Sequence, residues 1–149
     1  RGVLRVRVAR GLGLKAADKG GTSDPYVVVM LGNAKKRTHS VRRSLNPEFH
    51  QVLEFDSLVL RGVLQTQLLF RVYDKDGLMS WNDSLGDVSV LLDLLREQDE
   101  ADFAEQLSTQ GSLQFSVEWV PETARKAGIR LFPLGLPQAV SIWRSLVSL

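Results

Sequence analysis

The chain has 149 residues, 44% of them hydrophobic and 24% charged, with a net charge of +2. That describes one globular domain with a real core and room for a short appendage. So small a net charge gives bulk electrostatics no hold on a polyanion, so no nucleic-acid partner is expected and any charge-based function must come from how charge is distributed. The absence of cysteine excludes disulfides, thiolate catalysis and sulfur-ligated zinc, and agrees with a cytosolic setting.

The sequence opens at Arg1 without Met, signal sequence or an apolar stretch long enough to span a bilayer, and it reads as a segment of a larger protein. Residues 3–8 place Leu4, Val6 and Val8 on one face and Arg5 and Arg7 on the other, the period-two pattern of a half-buried strand. A loop, Asp18-Lys19-Gly20-Gly21-Thr22-Ser23-Asp24-Pro25, follows. The valine-rich run 26–31 predicts a strand buried on both sides, and Gly32-Asn33 is a hairpin turn signal. Residues 35–43 form a basic strand candidate closed by Ser44-Leu45-Asn46-Pro47. Residues 49–55 alternate again, with Phe49, Leu53 and Phe55 on one face, and 67–73 put Leu68, Phe70 and Val72 on one face.

A second acidic loop spans 74–83: Asp74-Lys75-Asp76-Gly77-Leu78-Met79-Ser80-Trp81-Asn82-Asp83. Residues 88–92 make a further short strand. Residues 93–106 read as a helix-like acidic stretch, with Glu97, Asp99, Glu100, Asp102 and Glu105 solvated and Leu94, Leu95 and Phe103 turned inward. The last clear strand, 112–120, turns Leu113, Phe115, Val117 and Trp119 inward. After Pro121 the texture changes: 122–136 are irregular, and Pro137 opens a candidate C-terminal helix with Ala139, Ile142, Trp143, Leu146 and Leu149 at helical spacing. That helix has three open roles: packing on a sheet, joining a neighbouring domain, or lying on a membrane.

Short strands separated by turn signals predict an all-β fold, an eight-stranded antiparallel Greek-key β-sandwich with a short helical insertion. It occupies residues 1–121, and 122–149 form a linker and short amphipathic helix outside it. If the two acidic loops meet at one end of such a sandwich, Asp18, Asp24, Asp74, Asp76 and Asp83 share a small volume. Like charges so placed repel unless a cation fills the site, and oxygen-only ligands select a hard ion such as calcium. Against this stands the ordinary use of aspartate in turns, where it hydrogen-bonds its own backbone.

The runs Gly20-Gly21-Thr22-Ser23-Asp24-Pro25-Tyr26-Val27, Leu45-Asn46-Pro47-Glu48-Phe49, Val72-Tyr73-Asp74-Lys75-Asp76 and Asn82-Asp83-Ser84-Leu85-Gly86 resemble the C2 domain. The resemblance covers roughly residues 2–120 and is similar to the type II circular arrangement of extended synaptotagmins and other multi-C2 membrane proteins. It implies that aspartates of the first and third loops bind Ca2+, carried by motif onto Asp18, Asp24, Asp74, Asp76 and Asp83. Lipid phosphates would fill the open coordination positions. One departure stands out: the commoner family step places the last aspartate one residue earlier, where Asn82 stands.

Leu78, Met79 and Trp81 sit at the third loop's tip, where large apolar groups suit a membrane interface; the alternative is that one or two fold back onto the sandwich rim. Lys35, Lys36, Arg37, Arg42 and Arg43 form a basic patch that the resemblance implies binds lipid headgroups, each group contributing about 1 kcal/mol near an anionic leaflet. A solvated edge strand protected by lysines is the equal alternative. Alternation puts Lys35, Arg37 and Arg43 on one side and Lys36 and Arg42 on the other.

The resulting expectation is a non-enzymatic module that binds anionic phospholipid membranes (phosphatidylserine, with phosphoinositides a further candidate) in a calcium-dependent way. It would act at the cytosolic face of a membrane as a cytoplasmic, peripheral part of a parent protein. Two alternatives stand beside it: a calcium-independent protein-interaction or phosphoinositide-binding module, and the targeting module of a lipid-modifying enzyme, kinase or ubiquitin ligase. Chemistry within the chain is not expected, because His39 and His50 have no nucleophile partner and Gly11-Leu12-Gly13 lacks the rest of a dinucleotide fingerprint.

Overall fold

The computed structural model describes residues 1–17, 20–75 and 83–126, with backbone alone at Arg125 and Lys126. Eight strands run β1 Gly2–Leu12, β2 Pro25–Leu31, β3 Ala34–Arg37, β4 Glu48–Leu58, β5 Gln67–Asp74, β6 Asp83–Leu91, β7 Glu100–Gln106 and β8 Ser112–Pro121. They form two four-stranded sheets in the orders β4-β1-β8-β7 and β3-β2-β5-β6, with every pairing antiparallel. The last strand lies between β1 and β7, and β1 leads directly into the first acidic loop, as the circular arrangement implied by the resemblance requires.

The inward rows follow the period-two reading. Leu4, Val6 and Val8 of β1, Leu68, Phe70 and Val72 of β5, and Leu113, Phe115, Val117 and Trp119 of β8 are all buried. Phe70 and Phe115 meet across the two sheets with ring centroids 3.9 Å apart. Pleating forces alternate side chains to opposite faces, so one apolar row per strand suffices to fill the space between two sheets. On β4 the register against β1 shifts twice, near His50 (φ 46) and Ser57 (φ 56). An extra residue bulged out of the ladder at each place keeps Phe49, Leu53 and Phe55 buried.

Three expectations are corrected. The acidic stretch 93–106 is no helix: Asp93–Arg96 is a 3-10 turn and Glu100–Gln106 is edge strand β7. Ala101 and Phe103 are its inward members, and Phe103 stacks on Phe115 with centroids 5.0 Å apart. Of its acids Asp102 is exposed, whereas Glu100, expected to be solvated, is buried opposite Glu118. The basic strand ends at Arg37 and does not run on to residue 43. The buried Thr38 hydroxyl accepts a hydrogen bond from Val27 N–H at 2.9 Å and donates to His39 O, which closes the ladder and releases the chain. Finally, β2 buries Val27, Val29 and Leu31 but leaves Val28 and Met30 partly open on its outer face. Helices are short, α1 being Leu60–Val63 and α2 Glu122–Lys126. None among the described residues is long and apolar enough to cross a membrane, and the candidate helix 137–149 lies outside the described residues.

Glu118 is fully buried on β8 and pairs across the ladder with Glu100. Arg5 gives its short contact, 3.1 Å, to Glu54 and reaches Glu118 only at 3.9 Å. Burial pushes the Glu118 carboxyl up to about 8, against the pull of Arg5 and with help from the charges of Glu100 and Asp99. At neutral pH the contact is therefore mainly between a guanidinium and a protonated acid. A folded value above the ordinary 4.5 means that this group's contribution to stability is complete below that value and is lost as pH rises through about 8. The Glu118→Gln variant should therefore gain on the parent in melting temperature as pH is raised from about 5 to about 8. Parallel curves for the two proteins would show instead an ionised Glu118 held by Arg5.

Candidate cation and headgroup site

At one end of the sandwich β1, β3, β5 and β7 finish and β2, β4, β6 and β8 begin, the intervening residues being 13–24, 38–47, 75–82 and 107–111. The base of the first is cinched by the buried Ser23. Its hydroxyl accepts from Ala17 N–H at 2.9 Å and donates to Lys15 O at 2.8 Å. The Leu45-Asn46-Pro47 motif holds the same loop from the other side. Asn46 Oδ1 accepts from Gly13 N–H at 2.8 Å, Leu45 O from Leu14 N–H at 2.9 Å, and Pro47 O from Gly11 N–H at 3.0 Å.

At the mouth between the sheets, Asp74 continues the inward row of β5 and is buried. Its Oδ1 accepts from Asp24 N–H at 2.6 Å, and Asp24 O accepts from Lys75 N–H at 2.9 Å. Asp24 Oδ1 in turn accepts from Arg43 N–H at 2.8 Å. Asp83 is the direct cross-strand partner of Asp74, so the two side chains lie on one face with β-carbons about 5 Å apart.

Carboxylate oxygens presented on one face are donors of the kind a hard cation takes. Among the described residues no group of three or more acids or histidines is poised to hold a metal. Asp24, Asp74 and Asp83 would need Asp18 and Asp76, which lie outside the described residues, as do Leu78, Met79 and Trp81.

The basic residues divide between two places. Lys35 and Arg37 pair with Met30 and Val28 on the outer face of β2, whereas Lys36 pairs with the inward Val29. Lys35, Lys36 and Arg37 line a concavity of about 300 Å³ with Val28, Met30, Arg71 and Tyr73. Arg37 stands 4.7 Å from the centre of the Tyr26 ring, which stacks on Tyr73 at 5.6 Å. Arg42 and Arg43 are elsewhere, exposed on the 38–47 connection beside Asp24.

Arg71 is the member of the concavity that the basic run does not contain. Its signal was the alternation of β5, where the position between inward Phe70 and Val72 must face out.

Residues 2–107 match the family described as the C2 domain. The chain belongs to the C2 domain family. A C2 domain is a binding module, and this one is 43% identical over 91 residues to human multiple C2 and transmembrane domain-containing protein 1, a match covering 61% of the chain and 9% of that protein. It is 34% identical over 134 residues to human synaptotagmin-3, covering 82% of the chain and 22% of that protein; the chain thus spans a small part of the relatives it matches. Among solved structures, a C2 domain of plant extended synaptotagmin 1 superposes with a TM-score of 0.68 at 25% identity, covering 80% of this chain and 95% of that one. A calcium-bound structure of two C2 domains of extended synaptotagmin 2 gives 0.66 at 23% identity over 79% of this chain and 45% of that one, a likeness of fold.

Replacing Ser23 by Ala leaves the Ala17 N–H and the Lys15 carbonyl without their buried partner. The Ser23→Ala C2 domain should lose about 1–3 kcal/mol in denaturant unfolding, and an unchanged midpoint would show that the cinch carries no stability.

Proposed function

We propose that this C2 domain binds calcium at the mouth formed by Asp18, Asp24, Asp74, Asp76 and Asp83 and thereby docks a larger protein on anionic phospholipid membranes. The observation that carries the reading is the junction of Asp24, Asp74 and Asp83. The Asp24 backbone N–H bonds the Asp74 carboxylate, and Asp83 pairs across the ladder with Asp74, so residues from two regions of sequence about fifty apart come to one end of the sandwich. Family membership supports it, as does the calcium-bound state of the extended synaptotagmin 2 structure.

When bound, the ion would supply positive charge and open coordination positions for phosphate or carboxylate oxygens. The chain's own part is to gather the carboxylates, with Asp74 fixed by the Asp24 backbone and Asp24 fixed by the Arg43 backbone. Arg42 and Arg43 flank the mouth, where their charges favour an anionic surface. Leu78, Met79 and Trp81 would enter the interface from the third loop, and docking at the cytosolic face follows from the same reading. The double variant Asp24→Asn with Asp76→Asn should lose calcium-dependent sedimentation with phosphatidylserine-containing vesicles while remaining folded; sedimentation at the parent's level would sink this mechanism.

A second reading is favoured by the concavity on the outer face of β2, β3 and β5, lined by Lys35, Arg37, Arg71 and Tyr73, with Arg37 over the Tyr26 ring. It suits a polyanionic headgroup such as a phosphoinositide, without calcium. Substituting Arg37 and Arg71 by Ala together should weaken binding to phosphoinositide-containing vesicles in chelator by about tenfold or more, from about 1 kcal/mol per charge near the surface. Binding that is insensitive both to these changes and to salt would rule out the concavity.

A further inference from the structure

The 107–111 turn takes no part in the roles above, yet it reaches both flanks of the mouth. On one side it stitches itself to β6, the strand that begins at Asp83. Ser108 N–H donates to Asp87 O at 2.9 Å, Asp87 N–H donates to Ser108 Oγ at 3.0 Å, and the Thr109 hydroxyl donates to Leu85 O at 2.5 Å. On the other side the Gln110 side-chain amide donates to two successive carbonyls, Gly13 O at 3.1 Å and Leu14 O at 3.2 Å, at the start of the first acidic loop.

Two glycines at positive φ make these approaches feasible. A β-carbon on Gly86 (φ 119) would come within 2.7 Å of Thr109 Oγ1, and one on Gly111 (φ 79) would collide with the carbonyl oxygens of Leu12 and Gly13. Both positions thus combine a backbone that only glycine adopts freely with space that only glycine fits.

We infer that this turn is a clasp that sets the separation between the first acidic loop and β6, with Gln110 and Thr109 as positioning residues for the carboxylates of the mouth. The two sheets present separate carriers, β1 with its loop and β6 in a different sheet, and no ladder hydrogen bonds run between the faces of a sandwich. Asp24, Asp74 and Asp83 are related within one sheet through β2, β5 and β6; what the clasp ties to that sheet is the beginning of the first loop, at Gly13 and Leu14, where the chain leaves β1 of the other sheet. A cation mouth needs its oxygens within a few tenths of an ångström of their ligating places, so a device that fixes loop against strand acts on affinity without touching the ion.

The part of this concerning affinity rests on the calcium reading, and the experiment keeps the two apart. Gln110→Ala and Thr109→Val are each compared with the parent chain and with Gln65→Ala, a glutamine at the opposite end. Amide hydrogen exchange is followed without calcium, and calcium itself is titrated by calorimetry. Faster exchange at residues 13–17 and 83–87 is expected in Gln110→Ala and Thr109→Val but not in Gln65→Ala, together with calcium affinity about 3–10-fold weaker, the effect of one or two hydrogen bonds. Unchanged exchange at both flanks, or unchanged affinity in a parent that binds calcium, overturns the clasp. A parent that binds no calcium overturns the calcium reading alone, and the exchange arm still decides whether the turn fixes loop against strand.

Discussion

Asp74 is a carboxylate at the inner end of a core strand, and a carboxylate so buried is kept stable by partners from the protein, by a cation or by a proton. The Asp24 backbone N–H, 2.6 Å away, supplies one partner. That single bond ties the residue entering β2 to the residue leaving β5 at the last rung of their ladder, Pro25 opposite Asp74. Everything at the mouth is referred to it. Asp83 is placed by pairing with Asp74, Arg43 by donating to Asp24, and Lys75 by donating to the Asp24 carbonyl. Were Asp74 one residue earlier or later, the pleat would turn its carboxylate to the outer face, and the acids would scatter.

The charges around this point are arranged by topology and not by their order in the chain. Five basic residues between 35 and 43 look like one patch, but the chain leaves the ladder after Arg37. Lys35 and Arg37 stay on the outer face of the sheet with Arg71, while Arg42 and Arg43 travel to the mouth. On the proposed function these are two contacts of different kinds. The concavity is cationic at all times, with aromatic walls. At the mouth, Arg42 and Arg43 are exposed on a connection whose Arg43 backbone N–H bonds Asp24, and the acids there oppose an anionic surface until a cation offsets them. A membrane could meet both, and salt would weaken both over a Debye length of about 10 Å.

How much of this was legible in the sequence depended on how many neighbours each residue answered to. Strands that face one core wear a period-two row, and Leu68, Phe70, Val72 and Leu113, Phe115, Val117, Trp119 declared themselves in that way. Edge strand β7 did not, because two inward residues among acids carry too little period to outweigh helical propensity. The end of β3 was hidden in Thr38, whose hydroxyl replaces a ladder bond only when Val27 lies beside it. Arg71 was legible by alternation but stood alone, and a lone outward arginine acquires meaning only when β2 places it across Val28 from Arg37. The acids of the two loops were legible as a group. The closeness of Asp83 to Asp74 was not, since register is a property of the pair and a loop can lengthen above it unseen.

The two ends of the sandwich answer to different chemistry, and distance keeps them independent. Residues Gly2 and Pro121 are cross-strand partners, with Glu122 N–H donating to Arg1 O, so β1 enters and β8 leaves side by side at the end away from the mouth. The protonated Glu118 lies on that side, opposite Arg5 in the register. From Arg5 to Leu12 the strand rises about 3.3 Å per residue, or about 23 Å. At an effective dielectric of about 20 a unit charge is felt there at on the order of 0.7 kcal/mol before salt, and more than two Debye lengths intervene. Ionisation of Glu118 therefore alters how firmly the strands hold together without reshaping the field at Asp24, Asp74 and Asp83. Coupling between the ends would have to be mechanical, through the β1–β8 ladder, and that ladder runs unbroken from Gly2 to Val8 before its one irregularity near Arg10.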